Sequence, residues 1–107
     1  MEKEYQILKE KVEDIFLKVT DIIIKTIDAD KEKTILTLKV IRAVVMKFIR
    51  MSIYKKYDGI LCTTLDEVII YVTTGLLRYI PKNDTERKKE ICGYINELQM
   101  LLKQNNR

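Results

Sequence analysis

Apolar residues recur every three or four positions in four segments of the chain, and this spacing is typical of amphipathic helices. Segment A covers residues 3–27, segment B residues 31–57, segment C residues 65–80 and segment D residues 84–103. Residues 28–34 contain no large apolar side chain, which places a turn between segments A and B. Because no Gly or Pro interrupts the chain there, one continuous helix through both segments is the alternative.

Polar residues that cap helices mark most of the segment boundaries. A capping side chain accepts a hydrogen bond from a backbone N–H in the first helical turn, and Glu three positions later completes a capping box. Gly suits the left-handed conformation that often follows a helix. The candidate caps are Asp28 or Asp30 for segment B, Thr64 with Glu67 for segment C and Asn83 with Glu86 for segment D, and Gly59 suits the end of segment B.

Segment C has two competing interpretations. Residues 68–74 are rich in β-branched side chains, which favour strands. A strand would need a partner, however, and no other segment alternates clearly between apolar and polar residues. We therefore predict a helix that ends before Pro81. Gly75 and Gly93 both lie inside helical patterns, which suggests a close crossing between two helices, with segments C and D as one candidate pair and a kink or ligand gap as the alternative.

Segment B is apolar on almost all sides, which is typical of a helix with several neighbours packed around it. The chain also has only three Gly and one Pro, a composition that argues against disorder and against a turn-rich β fold. We predict one all-α domain over residues 1–107, a four-helix antiparallel bundle in which the second helix is central. A three-helix bundle with segments A and B fused is the alternative.

Positive charge is concentrated in one part of the chain. The net charge is +4, and residues 31–57 carry eight basic residues against one acidic residue. A row of basic side chains along a helix can follow a phosphate backbone, so nucleic acid is one candidate partner. The alternative is that these cations are solvated or pair with the acidic residues of segment A. The predicted basic stripe consists of Lys39, Arg42, Lys47, Arg50, Lys55 and Lys56.

Some apolar residues of segments A and B fall outside the main core faces. Leu17 and Ile24 lie among the acidic residues of segment A, and others lie between the basic residues of segment B. A monomer would leave these side chains in water, whereas an oligomer or a protein partner would cover them. Scattered apolar residues on a protein surface are the alternative. The predicted interface consists of Leu17, Ile24, Leu36, Met46 and Ile53.

The residues needed for most kinds of catalysis are missing. The chain has no His and one Ser, and its two Cys do not form a CxxC pair. We therefore expect no enzyme activity, metal, cofactor or small-molecule substrate. We expect Cys62 and Cys92 to be reduced and half-buried, and a single disulfide is the alternative. No signal peptide or membrane-spanning run is evident, so we expect a cytoplasmic protein that does not bind membranes.

The sequence favours a homo-oligomer or a small subunit of a larger assembly, with nucleic-acid binding as the alternative.

Overall fold

The computed structural model describes residues 2–27, 30–55 and 64–105, which form four helices and no strand. The helices are α1 (Glu2–Thr26), α2 (Lys31–Tyr54), α3 (Leu65–Leu77) and α4 (Thr85–Asn105). The predicted all-α class is confirmed, and segment C is a helix. Because α1 and α2 are separate helices, the three-helix alternative is wrong.

Two of the predicted N-caps form the expected hydrogen bonds. The Asp30 carboxylate accepts a hydrogen bond of 3.2 Å from the backbone N–H of Lys33 at the start of α2. The Thr64 hydroxyl accepts one of 3.2 Å from the backbone N–H of Glu67 at the start of α3. Each bond satisfies an N–H that has no partner within the helix, and such a cap stabilises a protein by about 1 kcal/mol. Asp28 lies outside the described residues.

The cap of α4 lies one residue later than the sequence predicted. Asp84, not Asn83, accepts a 3.2 Å hydrogen bond from the backbone N–H of Arg87, and its second oxygen accepts one of 2.9 Å from the Arg87 guanidinium. The backbone N–H of Asp84 donates to the carbonyl of Pro81 at 3.0 Å. This turn places Asp84 immediately before the helix. Because its carboxylate is charged, Asp84 can also form an ion pair with Arg87.

The end of α2 also differs from the prediction. The helix ends at Tyr54 rather than near Tyr57, and Lys55 adopts the left-handed conformation with φ of 57°. Its backbone N–H still donates to the carbonyl of Met51. The expected stop at Gly59 lies outside the described residues. A left-handed conformation costs roughly 1 kcal/mol at a residue with a Cβ atom, so α2 ends at the expense of some strain.

Contacts between helix ends show that α1 runs antiparallel to both α2 and α4. The hydroxyl of Tyr54, at the end of α2, donates a 3.1 Å hydrogen bond to Glu2 at the start of α1. The start of α1 also lies beside the end of α4, since Leu8 and Leu101 border one groove. Each helix contacts two neighbours, and α2 and α4 also contact each other across the bundle. The second helix is therefore central as predicted, and it shares that position with α4.

All four helices contribute to one hydrophobic core. Burying an apolar side chain of this size stabilises a protein by about 1.5–3 kcal/mol, so this core is the main source of stability. Residues of the core that are almost completely buried include Val12, Val19, Ile23, Leu38, Val45, Phe48, Ile49, Val68, Val72, Leu76, Ile91, Leu98 and Leu102.

Gly75 allows close contact between α2 and α3. A Cβ atom at this position would lie 2.7 Å from Cδ1 of Ile41, so the side chain of Ile41 occupies the space that a larger residue would need. A Cβ atom at Gly93 would meet nothing within 4 Å. The predicted close crossing of two helices therefore occurs at Gly75, but between α2 and α3 rather than between segments C and D, and Gly93 takes no part in it.

Two polar side chains are buried in α2. The Thr34 hydroxyl donates to the carbonyl of Asp30 at 2.9 Å, which satisfies it. The Ser52 hydroxyl is also buried, and it has no hydrogen-bond partner among the residues that the structure describes. An unsatisfied buried hydroxyl costs about 1–3 kcal/mol, so Ser52 weakens the fold.

Candidate interaction surfaces

The outward side of α2 and α3 exposes large apolar side chains. Leu36 is 64% exposed, Ile70 is 65% exposed, and Val40 is also exposed. Leu36 and Val40 are four residues apart and therefore share one side of α2. Ile70 lies on the side of α3 opposite to the buried residues Val68 and Val72, since a step of two residues rotates the side chain by roughly 200°. Water surrounds a substantial apolar area on these two helices.

A groove of about 510 Å³ separates these two helices on the same side. The buried side chain of Ile41 and the backbone of Gly75 form its floor. A Cβ atom on Gly75 would point at Ile41, so both residues reach the groove where α3 closely approaches α2. Glu67, in the first turn of α3, and Arg78, directly after α3, lie toward opposite ends. The remaining lining residues are Thr37, Ile70, Tyr71 and Thr74.

The predicted basic stripe lies along the outer side of α2 next to α1. Arg42, Lys47 and Arg50 line a groove of about 390 Å³ together with Tyr5 and other residues of α1. Arg50 lies over the ring of Tyr5, with its guanidinium carbon 5.5 Å from the ring centre, which is a cation–π distance. Lys39, Lys47, Arg50 and Lys55 are exposed, Arg42 is half-buried, and Lys56 lies outside the described residues.

Acidic residues of α1 pair partly within their own helix. Asp14 forms an ion pair with Lys18 at 3.1 Å, and Asp21 forms one with Lys25 at 2.9 Å. The hydrogen bond to Asp14 raises the pKa of Lys18. The sequence left open that acidic residues of segment A pair with the cations of segment B. For Asp14 and Asp21 this alternative is wrong, because each pairs with a lysine four residues away on α1. Such exposed pairs contribute little to stability.

Other groups of α1 do meet α2. Glu13 and Lys9 line the same groove as the basic stripe, so charges of both signs face Arg42. Where the end of α2 meets the start of α1, partial desolvation raises the pKa of Tyr54, and the hydrogen bond from Tyr54 to Glu2 raises that pKa further. The α1–α2 surface is therefore mixed in charge at its α1 edge and basic at its α2 edge.

The predicted interface residues fall into two groups. Leu17 is 69% exposed, and Leu36 is exposed as described above. Ile24, by contrast, is half-buried. Met46 and Ile53 are half-buried and pack against the core, and Met46 borders the α1–α2 groove beside residues of α1. The expectation that they lie outside the core is wrong, because the antiparallel α1 covers the side of α2 that carries Met46.

The predicted interface did not include three exposed apolar residues, Val40, Ile70 and Met100. The signal that would have identified Ile70 is its helical phase, since it lies two residues from the buried Val68 and Val72. Met100 likewise lies two residues from the buried Leu98 and Leu102, so it is on the opposite side of α4.

Groups suited to metal binding are absent from the part of the chain that the structure describes, where no three Cys, Asp or Glu side chains come together. Cys92 is exposed rather than half-buried as predicted, and Cys62 lies outside the described residues. No described helix is long and apolar enough to cross a membrane.

Comparison with known proteins gives no relative from which a function can be transferred. No protein-family model matches the chain, and neither a curated protein nor a solved structure matches it. A four-helix bundle serves many unrelated functions, so the fold alone does not select one. A function must therefore be inferred from the surfaces described above.

Proposed function

We propose that the protein is a non-enzymatic helical interaction module that works as a homo-oligomer or as a small subunit of a larger assembly. The observation that carries this proposal is the exposure of Leu17, Leu36 and Ile70, each of which is more than 60% exposed. Covering one such side chain stabilises an association by about 1.5–3 kcal/mol. Ile70 lines the groove between α2 and α3, and exposed apolar patches typically mark interaction sites.

The mass of the protein in solution tests this proposal. One chain has a mass of 12.7 kDa, and sedimentation equilibrium over the micromolar range is expected to give a larger mass that rises with concentration. Leu17→Glu and Leu36→Glu, made separately and together, are expected to lower that mass. A charged side chain remains hydrated in the free chain and would have to lose that water in an interface.

A matched control is Asn96→Glu, which adds the same charge at an exposed position of α4. Its mass is expected to equal that of the parent, and circular dichroism is expected to show unchanged helix content in all variants. A parent mass of 12.7 kDa at every concentration, unaltered by either Leu substitution, would contradict the proposal.

Nucleic-acid binding is the second candidate, and the α1–α2 groove favours it. Arg42, Lys47 and Arg50 line this groove beside the ring of Tyr5. Arginine and lysine bind phosphates, so three basic residues along one groove can neutralise a nucleic-acid backbone. Sequence preference would be weak, because phosphate contacts position a protein without reading bases.

Fluorescence anisotropy with a labelled single-stranded oligonucleotide tests this second candidate. Affinity is expected to fall as salt rises, and Arg42→Glu with Arg50→Glu is expected to reduce the logarithmic salt slope by roughly 1.4, about 0.7 for each phosphate that is no longer neutralised. The control is Lys89→Glu with Lys103→Glu, which makes the same charge change on α4. If the control and the test variant weaken binding equally, the stripe is not the binding site.

A further inference from the structure

The groove between α1 and α2 has an excess of positive charge. Among the described residues that line it, four are basic and Glu13 alone is acidic, and the basic residues are Lys9, Arg42, Lys47 and Arg50. Lys9 and Arg42 are half-buried, and neither forms an ion pair with any residue that the structure describes. Partial removal of water from a cation is unfavourable unless an opposite charge replaces that water. The groove therefore favours an anionic occupant.

Apolar side chains lie between these charges. Ala43, Met46 and Met51 line the groove on α2, and the two methionines are half-buried. Methionine is flexible and polarisable, so it adapts to the shape of a partner and is common at binding surfaces. A partner that matches this groove carries apolar side chains as well as negative charge. A phosphate backbone offers only the negative charge.

One cation is already held in place in the free chain. The guanidinium of Arg50 lies over the ring of Tyr5 at 5.5 Å from its centre. Since Tyr5 belongs to α1 and Arg50 to α2, this contact joins the two walls at one end of the groove. A side chain that is ordered beforehand loses less conformational entropy on binding. Arg and Tyr are also enriched among the residues that dominate the energy of protein interfaces.

We infer that the α1–α2 groove binds an acidic peptide segment of a partner protein, with carboxylates beside the cations and apolar side chains against Met46. This inference rests on the proposed function and specifies the chemistry of the partner. The groove runs from Arg42 to Met51, about 14 Å along the axis of α2, which matches about four residues of extended chain. A peptide backbone also offers N–H donors to Glu13, and a phosphate backbone does not.

Fluorescence anisotropy of the full chain with a labelled eight-residue peptide tests this inference. The probe alternates Glu and Leu and has blocked termini, and two comparison peptides replace either every Leu by Gln or every Glu by Lys. The Glu–Leu peptide is expected to bind about tenfold more tightly than the Glu–Gln peptide, because only the first buries apolar surface on the methionines. The Lys–Leu peptide is expected not to bind, because its charges repel those of the groove.

Substitutions on α2 separate the two contributions. Arg42→Gln is expected to weaken binding of the Glu–Leu peptide about fivefold, because it removes one cation. Met46→Gln is expected to weaken it about tenfold, whereas Met46→Leu keeps the apolar surface and is expected to bind within about twofold of the parent. Ala43→Glu adds a negative charge at an exposed position of the groove and is expected to weaken binding by more than about tenfold without altering the core.

Matched controls lie on α4, where Lys103→Gln removes one cation and Asn96→Glu adds one negative charge at exposed positions. Neither is expected to change binding of the Glu–Leu peptide by more than about twofold, since both lie outside the groove. Circular dichroism establishes that every variant is folded. Equal weakening by the α4 controls and by the α2 substitutions would overturn the inference.

A single-stranded oligonucleotide with the same charge as the Glu–Leu peptide distinguishes nucleic acid from an acidic peptide. Tighter binding of the oligonucleotide, with an affinity that Met46→Gln leaves unchanged, would make the groove a nucleic-acid site and overturn the inference. Equal affinity for the Glu–Leu and Glu–Gln peptides would overturn it as well.

Sedimentation equilibrium separates this inference from the proposed function. If the Glu–Leu peptide does not bind but the mass of the parent exceeds 12.7 kDa, the inference fails and the proposed function survives through association of copies. If the peptide does not bind and the parent is a single chain at every concentration, both fail.

Discussion

Alanine at Gly93 is expected to stabilise the protein, whereas alanine at Gly75 is not. Both glycines lie inside helices, where Gly is less favourable than Ala by about 1 kcal/mol. A Cβ atom at Gly93 meets nothing within 4 Å, so the variant is expected to gain that full amount. A Cβ atom at Gly75 lies 2.7 Å from Cδ1 of Ile41, the free end of a side chain that borders a groove, so Ile41 must change its side-chain conformation to make room. A side chain held off its preferred rotamer costs about 0.5–1.5 kcal/mol, which offsets the gain from alanine.

A second substitution identifies the atom responsible. Ile41→Val removes Cδ1 and leaves a γ-carbon, and the corresponding atom of Ile41 lies 3.4 Å from the added Cβ, an ordinary contact. The single variant is expected to cost about 0.5–1.5 kcal/mol. In the Ile41→Val background, however, Gly75→Ala is expected to stabilise the protein as much as Gly93→Ala does. The coupling energy between positions 41 and 75 is then about 0.5–1.5 kcal/mol.

Urea unfolding followed by circular dichroism measures these free energies. Association would raise the apparent stability, so the variants are compared at protein concentrations low enough that each is a single chain. Equal slopes with urea concentration establish that the variants expose similar surface on unfolding. Equal stabilisation by Gly75→Ala and Gly93→Ala without the Ile41 substitution would refute the close contact between α2 and α3.

Three further predictions concern single side chains. Ser52→Ala is expected to raise the free energy of unfolding by about 1 kcal/mol, because it removes a buried hydroxyl without a described partner and introduces a better helix former. A decrease in stability in urea unfolding would show that the hydroxyl is satisfied. Lys55→Gly is expected to stabilise the protein by about 1 kcal/mol in the same assay, since φ is 57° there, and Lys55→Ala is the control that keeps the Cβ atom. The hydrogen bonds from Arg87 hold the pKa of Asp84 below its ordinary value, so the stability that they supply is present above about pH 4 and is lost as the pH falls through the lowered pKa. Asp84→Asn is therefore expected to be less stable than the parent at pH 7, and a difference that does not shrink at low pH would contradict this account.

Much of the local structure was predictable because its causes lie close together along the chain. The apolar period of segment A gave a helix within one residue of the observed Glu2–Thr26. Thr64 and Glu67 are three residues apart, so the cap of α3 depends on the sequence alone. The cap of α4 was misplaced by one residue because two candidates, Asn83 and Asp84, are adjacent. The turn at Pro81, rather than the composition, decides between them.

The candidate surfaces were predictable only in part. The sequence identified Leu17 and Leu36 as exposed, since Leu17 lies among the acidic residues of segment A and Leu36 between the basic residues of segment B. It also identified Met46, which packs against the core instead. A side chain at the margin of a helical face is buried or exposed according to where the neighbouring helix lies. That position is set by contacts between residues far apart in the sequence, such as Tyr54 with Glu2.

The sequence by itself determined that this protein is helical, where its helices begin and which side of each helix faces a core. These properties follow from the helical period and from hydrogen bonds within one turn. The tertiary structure decided which helix lies beside which, and so created the groove over Gly75 and the exposed position of Ile70 next to it. Glycine leaves room for a close neighbour wherever it occurs in a helix. A close contact results only where a second helix, here α2 with Ile41, lies against it.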